Sequence, residues 1–244
     1  MVQRMISFLL AFFLSAFPEY TEKNPVALRA LLVGSDTFLT QENTHPIAET
    51  NLSRLSAALS TDSRAYRKIS TYYDEIGYEA ALQSAVENAY AGADENDISL
   101  FFISTHGTYA DGKAGLYLCD GEEETILSPQ ALADMLQPVP GKKILILDAC
   151  NSGAFIQKGI ASLSASHPFT GNEHILLTSA GGSEASWQWQ GEEEFVSGSS
   201  YFADILCAEL HFAEGDTAVS GVGTLSHLHI TLHNHEGKFT CGHG

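Results

Sequence analysis

The sequence predicts an α/β domain in three layers, a mostly parallel central sheet with helices on both faces. Three observations predict it. Short aliphatic runs, long enough for a strand and too short for a helix, recur along the chain and alternate with stretches of helical period. Two of these runs, Asp97 to Gly107 (DISLFFISTHG) and Lys142 to Gly153 (KKILILDACNSG), have apolar centres with no polar alternation, the pattern of strands covered on both faces. Each then stops at turn-forming residues that carry chemistry, where open α/β sheets place their ligand crevice.

Val26 to Asp36 reads as the first strand, ending at a turn of Gly34, Ser35 and Asp36. Asn51 to Leu59 places Leu52, Leu55 and Leu59 on one helical face, and Tyr66 to Tyr73 is a second strand. Glu79 to Tyr90 is an Ala-rich amphipathic helix with Leu82, Val86 and Ala89 spaced to pack on a sheet. The third strand leads into His106. Gly115 to Cys119 and Thr125 to Leu127 read as a hairpin insertion. Ser128 as N-cap and Pro129 at the first helical position start a helix that runs to about Leu136 and is ended by Pro138 and Pro140. The fourth strand leads into Cys150. A Ser/Ala-rich stretch then reaches His167 as a mobile surface connection, His174 to Ser179 is a fifth strand, and Ser199 to Leu210 starts a last helix. The order β, α, β, α, β calls for parallel neighbours joined by crossover helices.

His106 lies 44 residues before Cys150, and parallel pairing of their strands brings imidazole and thiol to one edge. A thiol is a good nucleophile only as thiolate, and a neighbouring imidazole can take its proton or stabilise its charge. Cys150 therefore reads as a nucleophile and His106 as its acid or base. The alternatives are a structural thiol and a hydrogen-bonded histidine at a strand end.

At these residues the chain resembles the caspase-like cysteine peptidases, which include caspases, metacaspases and clostripain-like enzymes, with a peptidase C14-type domain. The likeness rests on an apolar strand ending in His106-Gly107 and, after a helical segment, an apolar strand ending in Asp148-Ala149-Cys150-Asn151-Ser152-Gly153. It covers roughly residues 27–210 and implies the caspase-like (caspase-hemoglobinase) fold. It also implies endopeptidase activity through a Cys/His dyad, with the N–H groups of Gly107 and Cys150 as oxyanion hole. Asp148 stands where Arg/Lys-specific members keep a pocket acid, which implies cleavage after Arg or Lys; a strand-end aspartate bonding its own loop is the alternative. Ser104 matches a pocket-lining serine. Asn51 falls where metacaspases carry a second pocket aspartate, and Asp36 and Glu184 are candidates to replace it. Trp187 and Trp189 follow the fifth strand, where the family binds the substrate backbone; a core role is the alternative. Self-cleavage is implied as well, with Lys113 and Lys158 as candidate sites.

The chain of 244 residues suits one such domain at residues 25–214, preceded by a hydrophobic segment at 1–24 and followed by a His-rich tail at 215–244. Met5 to Phe17 has the shape of a signal-peptide core or an uncleaved tether, and is short for a membrane span. A secreted or tethered protein is expected, with an N-terminal segment packed on the domain as the alternative. A net charge of -18 speaks against nucleic acid or anionic membrane as partner; the resemblance implies a peptide or protein substrate, and any membrane association falls to the tether. Cys119, Cys150, Cys207 and Cys241 have no CxxC spacing and imply no disulfide framework.

No cofactor is expected. The resemblance allows calcium, yet Gly215 to Leu228 lacks the spaced carboxylates of a calcium loop, so no metal site is assigned there. His227, His229, His233, His235, Cys241 and His243 crowd the tail, which is read as disordered, with metal binding as the alternative. A catalytically inactive caspase-like binding module is the rival to the peptidase.

Overall fold

Side chains along β1 (Leu28–Gly34) alternate between two cores: Ala30 and Leu32 face one, Leu31 and Val33 the other, and all four are buried. This is why the strand is apolar throughout. The structure is a computed structural model that describes residues 25–41, 46–61, 66–160, 167–169, 172–189 and 198–212.

Four further strands join β1: β2 (Tyr66–Tyr73), β3 (Ile98–Ser104), β7 (Lys142–Asp148) and β8 (His174–Thr178), in the spatial order β2-β1-β3-β7-β8 with every pairing parallel. Helix α1 (Ala48–Thr61) and the terminal helix α4 (Tyr201–Phe212) cover one face, where Leu52, Leu55, Leu59, Phe202 and Leu206 meet Leu32, Phe102 and Ile146. Helices α2 (Glu79–Ala89) and α3 (Pro129–Leu136) cover the other, where Leu82, Val86 and Leu132 meet Leu31, Phe101 and Leu145. The result is the expected three-layer α/β sandwich. Ser128 caps α3 by accepting from the Ala131 N–H at 3.1 Å, as the Ser-Pro pair predicts.

The insertion is larger than a hairpin. Directly after His106 the chain forms β4 (Gly107–Ala110), which pairs with β5 (Lys113–Cys119), and β6 (Glu124–Leu127) completes a three-stranded antiparallel sheet. With only four residues and no apolar alternation, β4 carries no strand signal of its own. Two other boundaries move. Ser199 and Ser200 form a short strand, β10, against β9 (Gln188–Trp189), so α4 starts at Tyr201. The stretch read as a mobile connection begins instead as a 3₁₀ helix, Ser152–Ile156, in which Ser152, Gly153, Ala154 and Phe155 are buried. Residues 161–166 lie outside the described part, as do the N-terminal hydrophobic segment and the His-rich tail. Among the described residues no helix is long and apolar enough to cross a membrane, and no three His, Cys, Asp or Glu side chains gather to hold a metal.

Strand ends decide where chemistry can sit. The sheet order reverses between β1 and β3, and side chains beyond the carboxyl ends of β1, β3 and β7 border the resulting crevice.

Candidate active site

Register places the two chemical segments side by side. Ser104, the last residue of β3, pairs with Asp148, the last of β7, and the Thr105 N–H donates to the Asp148 carbonyl at 3.2 Å. Two residues further along each chain stand His106 and Cys150. Gly107 presses against the Cys150 turn: a Cβ on residue 107 would lie 1.8 Å from the Cys150 carbonyl oxygen, so only glycine allows the approach. The half-buried His106 ring packs on Phe38, centroids 4.4 Å apart, and its carbonyl accepts from the Tyr117 N–H at 2.9 Å. The thiol-bearing turn is tight because Asn151 adopts φ 57°, a left-handed conformation that asparagine tolerates.

The Cys150 turn is stitched to the segment after β8. The N–H groups of Asn151 and Gly153 donate to the carbonyls of Glu184 and Ala180 at 2.8 and 2.9 Å, and Asn151 Nδ2 donates to the Gly182 carbonyl at 3.1 Å. At the end of this segment the Ser186 N–H donates to Cys150 Sγ at 3.4 Å. The same residue's Oγ donates to Asp148 Oδ1 at 3.1 Å.

Asp148 is 4% exposed and sits in a cluster of neutral polar groups. Its Oδ2 accepts from Ser200 Oγ and, at 3.3 Å, from Asn51 Nδ2. Asn51 uses its whole amide: Nδ2 also donates to Ser104 Oγ at 2.9 Å, while its oxygen accepts from Ser199 Oγ at 2.8 Å and the Ser200 N–H at 3.1 Å. Burial pushes the Asp148 carboxyl above the ordinary aspartate range, against hydroxyl donation from Ser200, Ser179 and Ser186.

Of the residues singled out from sequence, Ser104, Gly107, Asp148 and Cys150 are brought together in this way, and Asn51 joins them. Asp36 and Glu184 are not brought to the cluster. The Asp36 carboxylate accepts from the backbone N–H groups of Ile47, Ala48 and Glu49, capping α1, because a helix start leaves those donors without intrahelical partners. Exposed Glu184 turns back onto the Gly181 N–H at 2.9 Å. Half-buried Trp187 anchors the chain through its carbonyl, which accepts from the Tyr201 N–H at 3.1 Å; the Trp189 indole donates to Asp204 at 2.6 Å. Lys158 is held at both backbone groups, its N–H donating to Gly153 and its carbonyl accepting from Gly182.

Ser186, Ser199 and Ser200 were not legible as site residues. Ser200 alone leaves a sequence trace: its Oγ accepts from the Ala203 N–H at 2.9 Å, the cap expected three residues before a helical N–H. A cavity of about 680 Å³ beside the 3₁₀ helix, lined by Tyr109, Lys113, Phe155 and His167 among others, contains none of His106, Asp148 and Cys150.

No family model and no curated protein matches the sequence. In structure the chain is similar to caspase-1 from Spodoptera frugiperda, with a TM-score of 0.58 and 17% identity over 87% of this chain and 79% of that one. The chain has a caspase-like fold.

Proposed function

We propose that the protein is a cysteine endopeptidase that uses Cys150 as nucleophile and His106 as acid and base, and cleaves after Arg or Lys. One observation carries the reading: the Ser104–Asp148 register sets the His106-Gly107 and Cys150 segments against each other beyond the sheet edge. In the reaction Cys150 Sγ attacks the scissile carbonyl, its proton passing to His106. The developing oxyanion is met by the N–H groups of Gly107 and Cys150, and His106 returns the proton to the leaving amine. Water then hydrolyses the thioester, with His106 as base.

Asp148 supports the basic preference. The hydrogen bonds it accepts come from a side-chain amide and three hydroxyls, all neutral, so among the described residues a buried carboxylate there lacks a charged partner. A guanidinium or ammonium group of the substrate supplies that charge, and Ser104 lines the same pocket. Asp36 and Glu184 have no part in this reading, since backbone N–H groups occupy their carboxylates.

The satisfied state of Asp148 favours a second reading, in which the cluster is structural and the chain is an inactive binding module. Initial rates on fluorogenic peptides ending in Arg, Lys, Asp or Leu, wild type beside Cys150→Ala, separate the two. Cleavage after Arg or Lys that vanishes in the variant is expected. Full activity in Cys150→Ala would sink the proposal, and cleavage after Asp would keep the nucleophile and overturn the pocket.

A further inference from the structure

Ser186 touches both halves of the candidate site through two different atoms. Its N–H reaches the sulfur of Cys150 and its hydroxyl reaches the carboxylate of Asp148. The segment before it is fixed by hydrogen bonds that end at Glu184, and the chain after it is fixed again at the Trp187 carbonyl. Between those anchors Ala185 is exposed and Ser186 half-buried, and the hydroxyl–carboxylate bond ties the Ser186 side chain down beside the thiol.

We propose that Ser186 is a positioning residue through which occupation of the Asp148 pocket reaches the Cys150 thiol. A guanidinium entering the pocket competes for the Oδ1 lone pairs that Ser186 uses, and its bonds, charged on both sides, are stronger than the single-charge hydroxyl bond. The Ser186 hydroxyl is then displaced, its N–H leaves the sulfur, and the face of the thiol that it covered becomes open to the substrate carbonyl. Substrates with a neutral side chain leave Ser186 in place. Part of the preference for a basic residue thus resides in the rate of the chemical step rather than in binding alone, as expected when a correct substrate assembles its own site.

This inference rests on the reading of Cys150 as nucleophile and Asp148 as pocket acid, which the Cys150→Ala comparison tests separately. Its own test does not need turnover. In the full chain, the rate of Cys150 alkylation by iodoacetamide is followed by peptide mass spectrometry, with and without butylguanidine as a mimic of the arginine side chain. Wild type is expected to react slowly alone and about three- to tenfold faster with butylguanidine, because the sulfur face that the Ser186 segment covers is opened, a change on the scale of one contact of about 1 kcal/mol. Ser186→Ala is expected to react at the faster rate without butylguanidine and to ignore it; Ser186→Thr, which keeps the hydroxyl, is expected to behave as wild type. If peptides are cleaved, Ser186→Ala also narrows the Arg-over-Leu ratio in kcat while KM for the Arg peptide changes little. A wild-type rate that does not move with butylguanidine at any soluble concentration overturns the inference. So does a Ser186→Ala rate that still responds. Should Ser186→Ala fail to fold, the wild-type and Ser186→Thr responses decide alone.

Discussion

Asn51 and Asp148 are 97 residues apart in the chain, yet Asn51 Nδ2 donates to Asp148 Oδ2 at 3.3 Å. An amide at position 51 can donate to Ser104 and Asp148 and accept from Ser199 and Ser200 at once, whereas a carboxylate can only accept. Asn51→Asp would set two buried carboxyls together, and like charges so close do not both ionise. The variant is expected to be about 3 kcal/mol less stable than wild type at pH 8, because its folded state must hold a proton that the unfolded chain has lost, with the gap narrowing toward pH 5. Urea melts at several pH values check this; a gap independent of pH would count against it.

Asp148 itself gives stability a pH dependence of known sign. Burial raises its carboxyl in the folded chain, so between the ordinary aspartate value and the raised one the folded state holds more protons than the unfolded state. Its contribution to stability therefore falls as pH rises through that window. Asp148→Asn removes the charge, so its melting temperature relative to wild type is expected to climb between pH 4 and pH 8. On the proposed function, cleavage after Arg falls about 100-fold in the same variant, since one charge-assisted contact with the substrate is lost. Thermal shift and peptide rates measured on one preparation read both effects.

Gly107→Ala puts a methyl group 1.8 Å from a backbone oxygen that no side-chain rotation can move. Either β4 or the Cys150 turn must shift, and overpacking of this kind costs about 1–3 kcal/mol. Peptidase activity is expected to fall by more than stability would suggest, because either shift moves one of the two N–H donors proposed for the oxyanion relative to the other. Activity retained at the wild-type level, with a normal melting temperature, would contradict the close approach.

Far from the site, Arg29 and Asp97 form an ion pair at 2% and 3% exposure, and Asp97 also accepts from the N–H groups of Ala27 and Asp94. Burial raises the Asp97 carboxyl, but these hydrogen bonds and the guanidinium outweigh it and hold it below the ordinary range. Its stabilising contribution is complete above the ordinary aspartate value and is lost as pH falls through the depressed one. Asp97→Asn strands the Arg29 charge and is expected to cost about 3–5 kcal/mol at pH 7. The loss relative to wild type should shrink in acid, which chemical denaturation at pH 7 and pH 3 would show.

Element positions were largely legible because the signals are local. Apolar runs mark β1, β3 and β7, leucine spacing marks α1, and the Ser128-Pro129 pair marks the start of α3. β4 was missed because a four-residue strand of Gly, Thr, Tyr and Ala owes its pairing to β5 and not to its own composition. Asp36 reads as a free pocket acid because its three backbone partners lie 11 to 13 residues away in sequence, a spacing that carries no geometric cue.

By itself the sequence determined that His106 and Cys150 each follow a buried strand, because hydrophobic period and the small residues that end it are encoded position by position. Only the tertiary structure decided that β3 and β7 are neighbours with Ser104 opposite Asp148, since register is a property of two strands and not of either one. It alone decided which of many serines matter. Ser186 and Ser200 have the same hydroxyl as any surface serine, and what distinguishes them is a buried carboxylate that the fold brings within hydrogen-bond reach.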